Sequence, residues 1–186
     1  MHIDPESGLL GDIRQVPSPN CDARPDGSPI DLLVIHAISL PAGEFGGPWI
    51  DALFCNRLDP AAHPDFTGIC QLTVSAHALI RRDGEIAQYV PFQQRAWHAG
   101  QSQFQGREAC NDFSIGIELE GCDNKPFEPV QYQRLARLTR ALMHTYPDIK
   151  PERVVGHSDI APGRKTDPGP HFDWPQFRQL LTETQD

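Results

Sequence analysis

Residues 113–121 read FSIGIELEG, and the strict alternation in this stretch decides the fold. Ile115, Ile117 and Leu119 fall on one side of an extended chain, Gly116, Glu118 and Glu120 on the other. A strand with that period packs one face and presents carboxylates on its opposite face. A helix follows. In PVQYQRLARLTRALMHTYP (129–147) the side chains of Tyr132, Leu135, Leu138, Leu142 and Met143 share one helical face. Pro129 suits its first turn and Pro147 stops it.

Working outward, LLVIH (32–36) is a continuous apolar run rich in branched residues and reads as a buried strand ending at His36. GGPWIDALFCNRL (46–58) puts Ile50, Leu53, Phe54 and Leu58 at helical spacing. LTVSAHALI (72–80) and EIAQYVP (85–91) flank Arg-Arg-Asp-Gly, which predicts a hairpin with a type I′ turn at Asp83-Gly84. ERVVGH (152–157) is a short strand ending at His157, and Asp173 caps a last helix over WPQFRQLLTE with Pro175 in its first turn. Helices and strands mixed in this order predict an α/β fold with a central mixed β-sheet flanked by α-helices. With 186 residues the chain is expected to form a single domain, residues 1–31 being an extended lead-in.

A net charge of −9 opposes electrostatic binding to nucleic acid or to an anionic membrane surface. No window approaches the ~18 apolar residues of a membrane span, and the N-terminal MHIDPESGLLGDIRQ lacks the pattern of a secretory signal. A cytoplasmic protein is expected, and a monomer. Five cysteines without a Cys-x-x-Cys pair read as free thiols.

Both short apolar strands end in histidine, at the rim where open α/β sheets hold ligands. Taken singly, each reads first as a hydrogen-bonded rim residue. With Asp167 nearby in the Pro-rich loop GHSDIAPGRKTDPGP (156–170), His36 and His157 would complete the three-ligand set of a catalytic zinc. Glu118 could orient or deprotonate water at such a metal, unless it and Glu120 are merely solvated strand charges. Lys165, otherwise a solvated loop lysine, would bring a cation for a developing oxyanion. Trp97 and His98, in RAWHAG (95–100), suit contact with a sugar or peptide, although Trp97 could equally plug the core. His77 is expected to point toward the same face.

Five motifs in order (LLVIH, VSAHALIRRDGEIAQYVP, RAWHAG, GREACNDFSIGIELEG and GHSDIAPGRKTDPG) resemble those of the AmpD-type N-acetylmuramoyl-L-alanine amidases, zinc amidases that share a fold with peptidoglycan recognition proteins. The resemblance runs from about residue 16 to residue 180. It implies zinc on His36, His157 and Asp167, Glu118 as catalytic base, Lys165 as transition-state stabiliser, and a groove on one side of the sheet. It also implies a cytoplasmic recycling enzyme that cuts 1,6-anhydro-N-acetylmuramoyl peptides between the lactyl group and L-alanine. A binding module of this fold and an amidase acting on intact peptidoglycan are the alternatives. The family usually has His-Asn-Ile-Ser where this chain has His-Ala-Ile-Ser, so Ala37 is expected to alter substrate recognition. Arg107 and Arg95 are candidates for the stem-peptide carboxylates.

Overall fold

The computed structural model describes residues 1–183. Its strands are β1 (Arg14–Gln15), β2 (Cys21–Asp22), β3 (Leu32–Ile38), β4 (Ala78–Ile80), β5 (Ile86–Gln88), β6 (Arg95–Ala96), β7 (Gln103–Phe104), β8 (Arg107–Glu108), β9 (Ser114–Glu120) and β10 (Val154–Gly156). Its helices are α1 (Trp49–Phe54), α2 (Pro129–Thr145), α3 (His157–Ile160) and α4 (Trp174–Thr182). Six strands form one sheet in the order β1-β5-β4-β9-β3-β10. The sheet is mixed, as the sequence predicts: β4 and β5 are antiparallel, whereas β9 runs parallel to both β3 and β4. No helix among the described residues is long and apolar enough to cross a membrane.

The predicted faces of the 113–121 stretch are those of β9. Ile115, Ile117 and Leu119 join Leu33 and Ile35 of β3 in a core covered by Leu135, Leu138 and Leu142 of α2 and Phe177 of α4. Gln131 ties the start of α2 to the sheet: its Oε1 accepts from the Glu128 N–H, and its Nε2 donates to the carbonyls of Ile80 and Glu120. The predicted cap of α4 is present, Asp173 Oδ1 accepting from Gln176 N–H at 2.9 Å.

The opposite sheet face carries two separate apolar clusters. Leu79 and Ala87 pack with Ile50, Leu53 and Phe54 of α1, while Leu32 and Val34 pack with Ala99, Cys110, Phe113 and Ile160. Because β9 lies between β4 and β3, its Ser114, Gly116 and Glu118 form a polar row between the two clusters. The site is built there.

Three expectations need correction. The hairpin at 81–85 is present, but its turn is not type I′: Gly84 has φ +86° and Asp83 does not have positive φ. The bonds Gly84 N–H to Arg81 O and Arg81 N–H to Glu85 O define a three-residue loop with glycine at the left-handed position, which leaves Asp83 free to accept from Glu85 N–H. Helix α1 ends at Phe54 because Asn56 turns the chain at φ +56°, so Leu58 is buried outside the helix. The lead-in is not merely extended chain. β1 pairs with β5, β2 pairs with β6, and Ile3 and Leu10 are buried in the core.

Arg24 fastens this lead-in. Its guanidinium donates to the carbonyls of Asn111, Asp112, Phe92 and Ser114 at 2.8–3.2 Å, and burial pushes its pKa down to about 10. Arg24→Ala strands four carbonyls together, and should cost about 2–4 kcal/mol in a urea titration. A loss below about 0.5 kcal/mol would show that the lead-in is held by its strand pairing instead.

Candidate metal centre

Parallel pairing places His36 of β3 directly opposite Glu118 of β9. β10 lies on the other side of β3 with Gly156 opposite Ile35, so His157, the next residue, emerges beside His36. The loop after α3 then folds back, with Ser158 N–H donating to Asp167 O at 3.0 Å. His36 Nδ1, His157 Nδ1 and Asp167 Oδ2 form a triangle with edges of 2.9, 3.1 and 3.0 Å. Donors at zinc bond lengths of about 2.0–2.1 Å in tetrahedral geometry stand about 3.3 Å apart, so the triangle is close to the size a zinc ion requires.

The donor chemistry fits a cation as well. His157 Nε2 lies 3.2 Å from the Ala99 carbonyl, which can only accept, so Nε2 carries a proton, and in the neutral ring Nδ1 is then the lone pair that faces Asp167. Burial pushes His36 down to about 4, which keeps that imidazole neutral. A carboxylate and a lone pair therefore face each other in a buried pocket, the condition a metal ion relieves.

Glu118 and Glu120 lie on the same strand face, and neither is the solvated charge that an exposed strand would carry. Glu120 is 2% exposed and fully partnered, by Arg81 at 3.1 Å and Gly46 N–H at 2.7 Å. Glu118 is 9% exposed, and its buried Oε2 has no hydrogen-bond partner among the described residues. Burial, reinforced by the charge of Asp167, pushes its carboxyl well above the ordinary value. An unpaired buried carboxyl with a raised pKa beside a donor triangle is suited to taking and returning a proton.

The triangle and Glu118 open into a cleft of about 210 Å³ that Lys165, Ala37 and Trp97 also line. Lys165 is exposed at the rim, its backbone fixed by a bond to Ala161 O. Trp97 is half-buried on the wall with its indole N–H on Asp22, so it does not plug the core. Leu72, 47% exposed, continues that apolar wall, and the sequence reading passed over it.

Three candidates for substrate contact lie elsewhere. His77 is fully buried: its Nδ1 accepts from Gly116 N–H and its Nε2 meets Gln94 O, so no ring atom remains for a ligand. Arg107 pairs with Asp31 at 2.7 Å and stacks on Phe113, outside the cleft. Arg95 is neutralised between Asp22 and Asp112, each at 2.5 Å. His98 borders the cleft floor, but His36 and Ser114 occupy its two ring nitrogens. Ser114 is a residue the sequence reading missed, although the period of two places it on the Glu118 face.

The sequence profile of the N-acetylmuramoyl-L-alanine amidases matches residues 26–170. Over 178 residues the chain is 64% identical to 1,6-anhydro-N-acetylmuramyl-L-alanine amidase AmpD of Escherichia coli (strain K12), covering 96% of this chain and 97% of that one. Its backbone superposes on the crystal structure of a selenomethionine AmpD derivative with a TM-score of 0.94, at 62% identity over 98% of this chain and 100% of that chain. A more distant match, with a TM-score of 0.60 and 35% identity over 84% of this chain and 60% of that one, is the E. coli amidase AmiD in complex with anhydro-N-acetylmuramic acid-L-Ala-D-γ-Glu-L-Lys. Sequence and backbone agree, and the chain belongs to the N-acetylmuramoyl-L-alanine amidase family, in its AmpD type.

Proposed function

We propose that this chain is a zinc-dependent hydrolase that cleaves the amide between the lactyl group and L-alanine of 1,6-anhydro-N-acetylmuramoyl peptides, in cytoplasmic recycling of the cell wall. The observation that carries this reading is the two-histidine, one-carboxylate triangle next to the unpaired Oε2 of Glu118. The substrate class is that named for AmpD and present in the AmiD complex.

His36, His157 and Asp167 would hold the zinc, which when bound supplies Lewis acidity toward water and the amide carbonyl. Glu118 takes the proton of the attacking water at its carboxylate and returns it to the leaving alanine nitrogen, a role served by its raised pKa. Lys165 brings its ammonium to the cleft, where it can balance negative charge developing on the carbonyl oxygen. Leu72, Val74 and Trp97 provide an apolar wall against which a sugar ring can lie.

Mass spectrometry of a 1,6-anhydromuramoyl tripeptide incubated with the protein should show free tripeptide and anhydro sugar. A chelator should abolish the release and one equivalent of zinc restore it; cleavage that persists after verified metal removal would overturn the zinc reading. Glu118→Gln should lower kcat by about 10²–10⁴ while zinc stays bound at one equivalent. Unchanged turnover would remove Glu118 from the reaction. Ala37 borders the cleft, but it alternates with His36 and its methyl packs against the core on the α2 side. Ala37→Asn should therefore cost about 1–3 kcal/mol in a urea titration, for the amide it brings to that core, and leave KM within about 2-fold; a KM lowered about 10-fold with stability unchanged would place this side chain at the substrate.

A further inference from the structure

Beneath the donor triangle, a second layer of polar groups ends on a backbone carbonyl. Ser114 Oγ lies 2.6 Å from Cys110 O and 3.1 Å from His98 Nε2, and His98 Nδ1 lies 2.9 Å from His36 Nε2. We infer that His98 and Ser114 are positioning residues that fix His36 in the tautomer with its proton on Nε2, committing the Nδ1 lone pair to the metal. The inference deepens the proposed function and rests on the reading of the triangle as a metal site.

The direction of each proton follows from what the two ends can do. The Cys110 carbonyl only accepts, so it takes the single hydroxyl proton of Ser114. Ser114 Oγ then has only lone pairs left and accepts from His98 Nε2–H. A neutral His98 carries no second proton, so its Nδ1 accepts, and His36 Nε2 must be the donor. At the other end a metal ion takes lone pairs only, which asks for the same tautomer of His36. Reversing any link would turn the Ser114 hydroxyl away from the Cys110 carbonyl and forfeit that 2.6 Å bond, leaving the carbonyl only the longer one from Phe113 N–H at 3.3 Å. His157 reaches the equivalent state in one step, with Nε2 on the Ala99 carbonyl.

The fold is shaped around this relay. The ring of His98 lies over Gly116 of β9, where a Cβ would stand 2.4 Å from its Cγ, so only glycine admits the ring at this place. Asn111 Oδ1 accepts from the backbone N–H groups of both His98 and Ala99, at 3.1 and 2.8 Å. One side chain thus positions the outer partner of each metal-binding histidine. Hydrogen-bond partners of this kind set ligand orientation and basicity, and their loss commonly lowers metal affinity 10- to 100-fold.

The test begins with the parent and His36→Ala, titrated with zinc against a competing chelator. A parent without one tight zinc, or a His36→Ala variant that keeps it, would overturn the metal reading itself. With that established, long-range proton–nitrogen NMR spectra of the zinc-loaded, ¹⁵N-histidine protein should show His98 protonated on Nε2 and bare on Nδ1. The opposite tautomer would overturn the relay. His98→Phe and Ser114→Ala should each weaken zinc binding by about 10-fold or more and shift the visible absorption of the cobalt-substituted protein. His98→Asn, whose Oδ1 can stand near the place of Nδ1, should recover most of the affinity. Should His98→Phe fail to fold, Ser114→Ala and the parent NMR spectrum carry the test. Parent-like zinc affinity and cobalt absorption in the Ser114→Ala variant would reduce His98 to a packing residue.

Discussion

The seven-residue parallel register between β3 and β9, from Leu32 opposite Ser114 to Ile38 opposite Glu120, is the constraint on which the site depends. Side chains alternate along a strand, so a slip of one residue would send His36 to the α2 side or bring Ile117 to the cleft in place of Glu118. What prevents a slip is the other face. Ile115, Ile117 and Leu119 are completely buried against α2 and α4, and turning them outward would forfeit several kcal/mol of apolar burial. The core on one side of the sheet therefore sets the chemistry on the other.

On the cleft side the sheet does not form one continuous core. Two apolar clusters flank the polar row, and they give it two properties. They shield it from water, which drives His36 toward neutrality and raises the proton affinity of Glu118. They also hold its members apart from the paired charges farther along β9, where Arg81, Glu120 and Asp51 satisfy one another. Glu118 and Glu120 thus have opposite surroundings two residues apart. Glu120 braces the 43–48 loop through Gly46 N–H, whereas Glu118 keeps a free oxygen.

How much of this was legible depends on the range of the deciding interaction. The faces of β9, the face of α2 and the cap of α4 follow from local period and end chemistry, so FSIGIELEG and its neighbours reveal them. His36, His157 and Asp167 were legible as a set because two strand ends and one rigid loop converge at a sheet rim. The outcome for His77 and His98 was not, since His77 accepts from Gly116 N–H and the His98 ring lies over Gly116, contacts between residues apart in sequence. Arg107 and Arg95 looked free for a substrate because their partners, Asp31 and Asp22, sit in the lead-in some 70 residues earlier. The lead-in itself was read only as extended chain because two-residue strands show no period, and only the pairing with β5 and β6 reveals them.

The pocket's charge balance joins the fold to the reaction. Two imidazoles and two carboxylates converge on one buried corner, and without a cation one carboxylate has only imidazole rings for partners while the other has an orphaned oxygen. Such an arrangement destabilises the folded chain unless something positive enters it. The large cores on both sheet faces, together with the Arg24 clamp, give the fold stability that does not depend on the corner. The corner is then free to keep the lone pairs and the unpaired carboxyl that amide hydrolysis requires, at a cost that a cation held there would offset.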